Sequence, residues 1–402
     1  MRIAYLTSQY PAVSQTFITR EVILMRALGF DIRTYSVRRA DRDSCFDDSL
    51  TDEAKRTKWL LPPPLGELMR ACLWTVVTRP IKTAQTFFDA AFSRDSRYAG
   101  RVKWLGYYVE AILLAYWLVR DKIDHLHCHI GNSGSSTGML AATLSGLPFS
   151  VTCHGSELRE IKKHRLAEKV RRAAFVACVS QFGRAQLMLA CEAEQWEKLL
   201  IVRCGVLHVE LPNTTGEILN SGPAEILCVA RLSKEKGHLV LLDALAKLRK
   251  QKLSFHCTLV GDGPMRCQID RHCAKLELEP FVTMTGFVPP EQMGRYYLSA
   301  NIVVLASFSE GVPVVLMEGM EYRKPVIGTL VGGTAELIEH GRSGLLVPPG
   351  DGLALAAALR RVIENPVPVA RMVEAAHRHV RSEFDVTHSA NLLAKAFHLA
   401  QE

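Results

Sequence analysis

The chain runs to 402 residues, 48% hydrophobic and 22% charged, with a formal net charge of +8. Those figures describe a soluble globular protein with enough chain for two domains, each with its own core. The eleven cysteines are scattered without a Cys-x-x-Cys pair, and Cys178, Cys228 and Cys257 sit in apolar runs. This disfavours a disulfide framework and fits reduced thiols in a cytosolic protein.

Arg2-Ile3-Ala4-Tyr5-Leu6 reads as a first strand rather than the apolar core of a signal peptide. Pro11 forces a loop, and Ser14 is placed to cap a helix over Gln15 to Leu28, closed by Gly29. A loop at the carboxyl end of a first strand is where doubly wound folds bind ligands, but without Gly-x-Gly-x-x-Gly a dinucleotide is disfavoured. From Lys55 to Lys122, 12 Lys and Arg stand against 5 Asp and Glu, and four of the five tryptophans fall there (Trp59, Trp74, Trp104, Trp117). Two readings stay open for this stretch. Basic helices carrying Trp, Phe and Leu suit an anionic membrane surface, and ordinary core-facing helices with solvated basic faces give the same pattern. The charge-free run Ala111 to Val119 is too short to span a bilayer. No binding motif accompanies the charge, so nucleic acid is not expected.

His125 to Ile130 reads as a strand with His125, His127 and His129 on one face. A zinc site lacks a fourth ligand at an obvious spacing, so structural or polar-lining roles are expected and no metal. Phe149 to Cys153 forms the next strand, and His154, before Gly155, ends it at the ligand edge of the sheet. Ala173 to Val179 is another buried strand, with Ser180 capping the following helix. Leu200 to Val206 follows, and a polar, turn-rich linker runs from Pro212 to Pro223.

In the second half, strand Ile226 to Ala230 leads into Arg231-Leu232-Ser233-Lys234-Glu235-Lys236-Gly237. Arg231 as a planar fork and Lys236 as a point charge suit a diphosphate. Leu259 to Pro264 gives a strand and a turn containing Gly263, and Thr285 to Pro289 a loop containing Val288. Asn301 to Ala306 is a short β-branched strand, after which Gly311 and Pro313 turn the chain into a helix over Val314 to Tyr322. The start of that helix offers unpaired N–H groups and a positive dipole end to an anion. Glu310 and Glu318 flank it, although a cap and a solvated helix face would also give two glutamates at this spacing. Lys324 to Thr329 adds a strand, Gly341 to Val347 a hairpin-like element, and Ala370 to Gln401 two helices.

In this order the segments resemble retaining GT-B glycosyltransferases of family 4 (glycosyl transferases group 1), in particular the exopolysaccharide and colanic-acid subgroup. Glu310 to Glu318 resembles the Glu-x7-Glu motif, Arg231 to Gly237 the Arg-Leu-x-x-x-Lys-Gly motif, and Thr152 to Gly155 the Thr-x-His-Gly motif. Tyr10 to Phe17 resembles the subgroup's opening, with Gln15 where Glu is usual, while Phe384-Asp385 departs from the usual Phe-Ser/Thr-Trp. The resemblance implies an α/β, GT-B architecture of two Rossmann-like domains facing across a cleft. Residues 1–210, with a helix from about 387 to 402, would bind the acceptor, and 220–386 the donor.

The activity implied is transfer of a hexose, with retention and no metal or cofactor, from a UDP- or GDP-sugar to a glycan or lipid-linked acceptor. A soluble small acceptor, or a non-catalytic sugar-nucleotide binder on the same fold, is the alternative. In the implied site Arg231 and Lys236 hold the leaving diphosphate, helped by the backbone of Gly311, Val312, Pro313 and Val314. Glu310 holds the donor sugar, Glu318 the ribose, and Gly263 and Val288 border the nucleotide. His154 touches the sugar, and Ser14, Gln15 and Thr16 form the acceptor loop. The implied location is the cytoplasm, peripheral on the inner face of the plasma membrane if the basic stretch touches it.

Overall fold

A computed structural model describes residues 1–12, 15–39, 48–92, 98–211 and 222–401. It divides into two compact units, Met1–Val202 with Ala390–Glu402, and Arg203–Ser389.

The first unit runs β1 (Arg2–Gln9), α1 (Thr16–Ala27), β2 (Asp31–Arg38), α2 (Asp48–Arg56), β3 (Lys58–Trp59), α3 (Leu65–Thr78), α4 (Pro80–Ala91), α5 (Tyr98–Arg120), β4 (His125–His129), α6 (Ser133–Ser145), β5 (Phe149–Cys153), α7 (Leu166–Arg172), β6 (Phe175–Cys178), α8 (Gln181–Ala190) and β7 (Leu199–Ile201). Its seven strands are all parallel, in the order β3-β2-β1-β4-β5-β6-β7. Parallel strands are covered by helices on both faces, which is why β4, β5 and β6 are buried at every position.

The second unit runs β8 (Ala224–Val229), α9 (His238–Lys250), β9 (Phe255–Val260), α10 (Arg266–Lys275), β10 (Val282–Gly286), α11 (Met293–Ser299), β11 (Ile302–Leu305), α12 (Val314–Glu321), β12 (Val326–Thr329), α13 (Thr334–Leu337), β13 (Leu345–Val347), α14 (Gly352–Glu364) and α15 (Pro366–Glu383), and α16 (Val386–Leu399) follows. The sheet order β10-β9-β8-β11-β12-β13 is that of a doubly wound Rossmann fold, with the order reversing between β8 and β11. Within this unit the incoming and outgoing chain pair: Val206 N–H donates to Phe384 O, 2.9 Å, and Phe384 is fully buried.

Some expectations need correction. Helix α1 starts at Thr16 with Gln15 at the capping position and no side-chain cap bond. Ser14, the expected cap, and most of the linker from Pro212 lie outside the described residues. Gly341 to Val347 is not a hairpin: Leu345–Val347 pairs parallel to β12 as an edge strand, the turn before it being closed by Gly341 N–H on Gly344 O. The run Ala111 to Val119 belongs to a longer helix whose segment Gly100–Arg120 is, by length and composition, long and apolar enough to cross a membrane. Ala111, Leu113, Leu114, Trp117 and Leu118 of α5 are nonetheless buried in the unit's own core.

Candidate active site

In an open α/β sheet, ligands bind beyond the carboxyl ends of the strands where the strand order reverses. In the second unit that point lies between β8 and β11, and the loops leaving these strands carry Lys236 and Glu310. Lys236 Nζ donates to Glu310 Oε1 at 2.7 Å, and Ser307 Oγ donates to the same oxygen at 2.6 Å. The two side chains keep 24% and 11% of their surface, enough shelter to strengthen the pair without removing water.

Backbone packing fixes these loops. Gly237 has φ +64, and a Cβ there would lie 2.0 Å from Ala306 O; Gly332 has φ +53, and its Cβ would lie 1.9 Å from Glu310 O. Only glycine lets these turns stack on each other. Gly333 N–H also donates to Gly311 O, 2.7 Å, holding the Glu310-Gly311 turn. Helix α12 then starts after Pro313, whose carbonyl accepts from Leu316 and Met317 N–H. The amides of Val314 and Val315 come before those first intrahelical bonds and carry the positive end of the helix. Val312 and Pro313 are buried, Gly311 and Val314 half-buried.

Arg231, after β8, is exposed, and among the described residues it makes no ion pair with a carboxylate. Glu318, one turn into α12, accepts from Tyr297 Oη at 2.7 Å, and the Tyr297 ring stacks on Tyr322 with centroids 5.1 Å apart. Gly263 has φ +159 and lies against Leu232 O; Val288 packs partly buried on the unit's core. Arg231, Lys236, Gly263, Val288, Glu310, Gly311 to Val314 and Glu318 thus all belong to the carboxyl edge of one sheet. The reading from sequence gave Lys236 and Glu310 separate ligand partners; here they hold each other.

In the first unit, His154 follows β5 and its Nε2 lies 3.2 Å from His129 Nδ1, with its ring centroid 4.6 Å from Phe17. His129 Nε2 lies 3.2 Å from Glu21 Oε1, which also accepts from Tyr5 Oη at 2.8 Å. Burial pushes the Glu21 carboxyl up, but the His129 ring and the hydrogen bonds from His129 and Tyr5 outweigh it and hold the group below its usual range. Burial, then the His129 ring, lowers His154 to about 4 and keeps it neutral.

The other two strand histidines are bonded to hydroxyls of β5. His125 Nε2 and His127 Nδ1 each lie 2.7 Å from Ser150 Oγ, and His127 Nε2 lies 2.9 Å from Thr152 Oγ1. Glu21, His127 and His129 bring their donor atoms within 4.8 Å of one another, a spacing that could hold a cation. Both nitrogens of His127 are already engaged by hydroxyls, which argues against one. Glu21 was missed by the sequence reading because it lies on α1, 108 positions from His129, and nothing local marks it. Gln15 Oε1 is buried without a partner among the described residues, and Thr16 is half-buried beside it.

Residues 215–379 match the family described as "Glycosyl transferases group 1". That match falls on the second unit, and the two Rossmann-like units together have the architecture of the GT-B fold. The chain is 29% identical over 413 aligned positions to the amylovoran biosynthesis glycosyltransferase AmsK of Erwinia amylovora, covering 96% of each chain. It is 26% identical to the putative colanic acid biosynthesis glycosyltransferase WcaL of Escherichia coli K12, again over 96% of each. Among solved structures it is similar to Anabaena HepE in complex with UDP-glucose, with TM-score 0.75, 19% identity and 99% of each chain covered.

Proposed function

We propose that this enzyme moves a hexose from a nucleoside-diphosphate sugar, with retention and without a metal, to a lipid-linked glycan acceptor in exopolysaccharide assembly. The observation that carries the reading is the Lys236–Glu310 pair at the β8/β11 switch point, beside the start of α12. Relatives aligned along the whole chain are named for amylovoran and colanic acid biosynthesis, and HepE is titled as holding UDP-glucose.

When the diphosphate arrives, Lys236 exchanges a carboxylate for a phosphate oxygen and Glu310 is released to the sugar hydroxyls. The charge growing on the leaving diphosphate then meets Lys236, Arg231 and the Val314 and Val315 amides, an electrostatic contribution of the kind that dominates such catalysis. Glu318 is held by Tyr297 in position for ribose hydroxyls.

The test needs no acceptor. Slow hydrolysis of an α-linked UDP- or GDP-hexose, followed by NMR, releases α-hexose first under retention. First release of the β anomer would overturn the retaining assignment, and no turnover of any nucleotide sugar would overturn the donor class.

A further inference from the structure

Helices α3 and α4 leave an apolar face uncovered. Leu65, Met69, Leu73 and Val76 recur at helical spacing on α3, and Leu73 is 67% exposed. Ile81, Phe88 and Phe92 continue the face along α4 and just beyond it, with Phe88 57% exposed. A single exposed leucine needs no explanation, but a contiguous face on two consecutive helices marks a contact surface.

The charges around it point to what covers it. Every acid of α3, α4 and α5 is engaged within the protein. Glu67 is held by Trp117 and Arg120, Asp89 by Arg172, and Glu110 accepts from Thr137 Oγ1 at 2.6 Å. Arg70, Arg101 and Lys103 are exposed. The Arg120–Glu67 pair also ties the first turn of α3 to a cavity of about 460 Å³ lined by Arg33, Arg56, Lys58, Arg120 and Lys122. The acid among its lining residues, Asp121, is paired with Lys58.

From this juxtaposition we infer that the α3–α4 face docks on an anionic phospholipid bilayer, the apolar side chains entering the acyl boundary and the basic cavity seating lipid phosphates. Apolar groups accompanied by cations, with the acids of the same helices already paired within the protein, are the chemistry of an interfacial anchor. The inference deepens the lipid-linked acceptor reading and rests on it for its purpose, though not for its geometry.

The test is co-sedimentation of the full chain with vesicles of phosphatidylcholine alone, or of phosphatidylcholine and phosphatidylglycerol in equal parts. The wild type pellets with the mixed vesicles and stays in solution with phosphatidylcholine. Arg56→Ala/Lys122→Ala lowers partitioning about 30-fold, two cations near an anionic surface. Leu73→Gln/Phe88→Gln lowers it at least about tenfold, from two apolar side chains left in water. Both variants keep the wild-type melting temperature and its rise with UDP or GDP, which shows that fold and donor site are intact. Absence of any nucleotide shift in the wild type would sink the transferase reading and leave the vesicle result standing. The docking proposal is overturned by equal pelleting on both vesicle types. It is also overturned by a lipid-free dimer that Leu73→Gln/Phe88→Gln dissolves, or by inorganic phosphate binding through Arg56 and Lys122 without vesicle binding.

Discussion

Lys236 and Glu310 give a prediction in which two substitutions of one ion pair act in opposite directions. In the ligand-free protein the pair keeps 24% and 11% of its side-chain surface, so removing one partner costs less than in a dry core, about 1–2 kcal/mol of stability. Lys236→Ala also removes a charge-assisted contact to the diphosphate worth about 1.5–3 kcal/mol, so UDP or GDP affinity falls about 10- to 150-fold. Glu310→Gln removes the competitor for the ammonium instead. If releasing the pair costs about 1 kcal/mol, nucleoside diphosphate binds up to about fivefold tighter while sugar transfer is lost. Thermal shift with UDP, GDP and ADP on the three proteins measures this. At a hundred times Kd a nucleotide adds about 2.7 kcal/mol, and about 2–4 °C of melting temperature accompanies each kcal/mol in a domain of this size. Equal weakening of nucleotide binding by the two substitutions would refute the exchange of partners, because the carboxylate would then be needed to aim the lysine.

Three further outcomes are expected. Gly332→Ala places a methyl against Glu310 O at a positive φ, so it costs about 2 kcal/mol or more and lowers transfer together with stability, read by urea melts and activity. Glu321, 1% exposed, accepts from Arg381 and from Val209 N–H at 2.8 Å, so Glu321→Ala destabilises the second unit by about 2–3 kcal/mol without altering the Kd of nucleotide for the folded protein. Burial lowers His125 from 6.5 to about 4, so the unfolded chain takes the proton first. Stability is then complete above about pH 6.5 and is lost by about 3 kcal/mol on acidification to pH 4. Urea melts from pH 7 to 4 show that slope in the wild type and a shallower one in His125→Asn; an unchanged slope would show that His125 is not its source.

The parallel sheets were legible because buried strands are short runs such as Ile302–Leu305 between turn residues, and because Ser180 caps α8 through a bond to Gly183 N–H. The expected hairpin at Gly341 failed because glycines mark a tight turn equally well before a parallel edge strand. The donor-edge residues were legible as motifs, whereas their mutual arrangement was not. Lys236 and Glu310 lie 74 positions apart, and no local pattern says that the cation and the carboxylate neutralise each other before a ligand arrives. Glu21 escaped notice for the same reason, since only the crossing of α1 over β4 brings it to His129. The basic stretch was legible in composition, but which of its helices faces outward depends on α5 taking the core position.

Helix α16 has a consequence for the order in which the protein is made. Phe397 sits 5.1 and 5.2 Å from the rings of His125 and His127 and 5.4 Å from Phe175, and Leu393 and Ala396 complete the same core. These residues leave the ribosome only after the whole second unit has been synthesised. Until then the nascent first unit carries an open seam over β4 and β6, with its histidine ladder in water and able to take up protons. The second unit can close as soon as Ser389 has emerged, so the half that begins the chain is the last to be sealed.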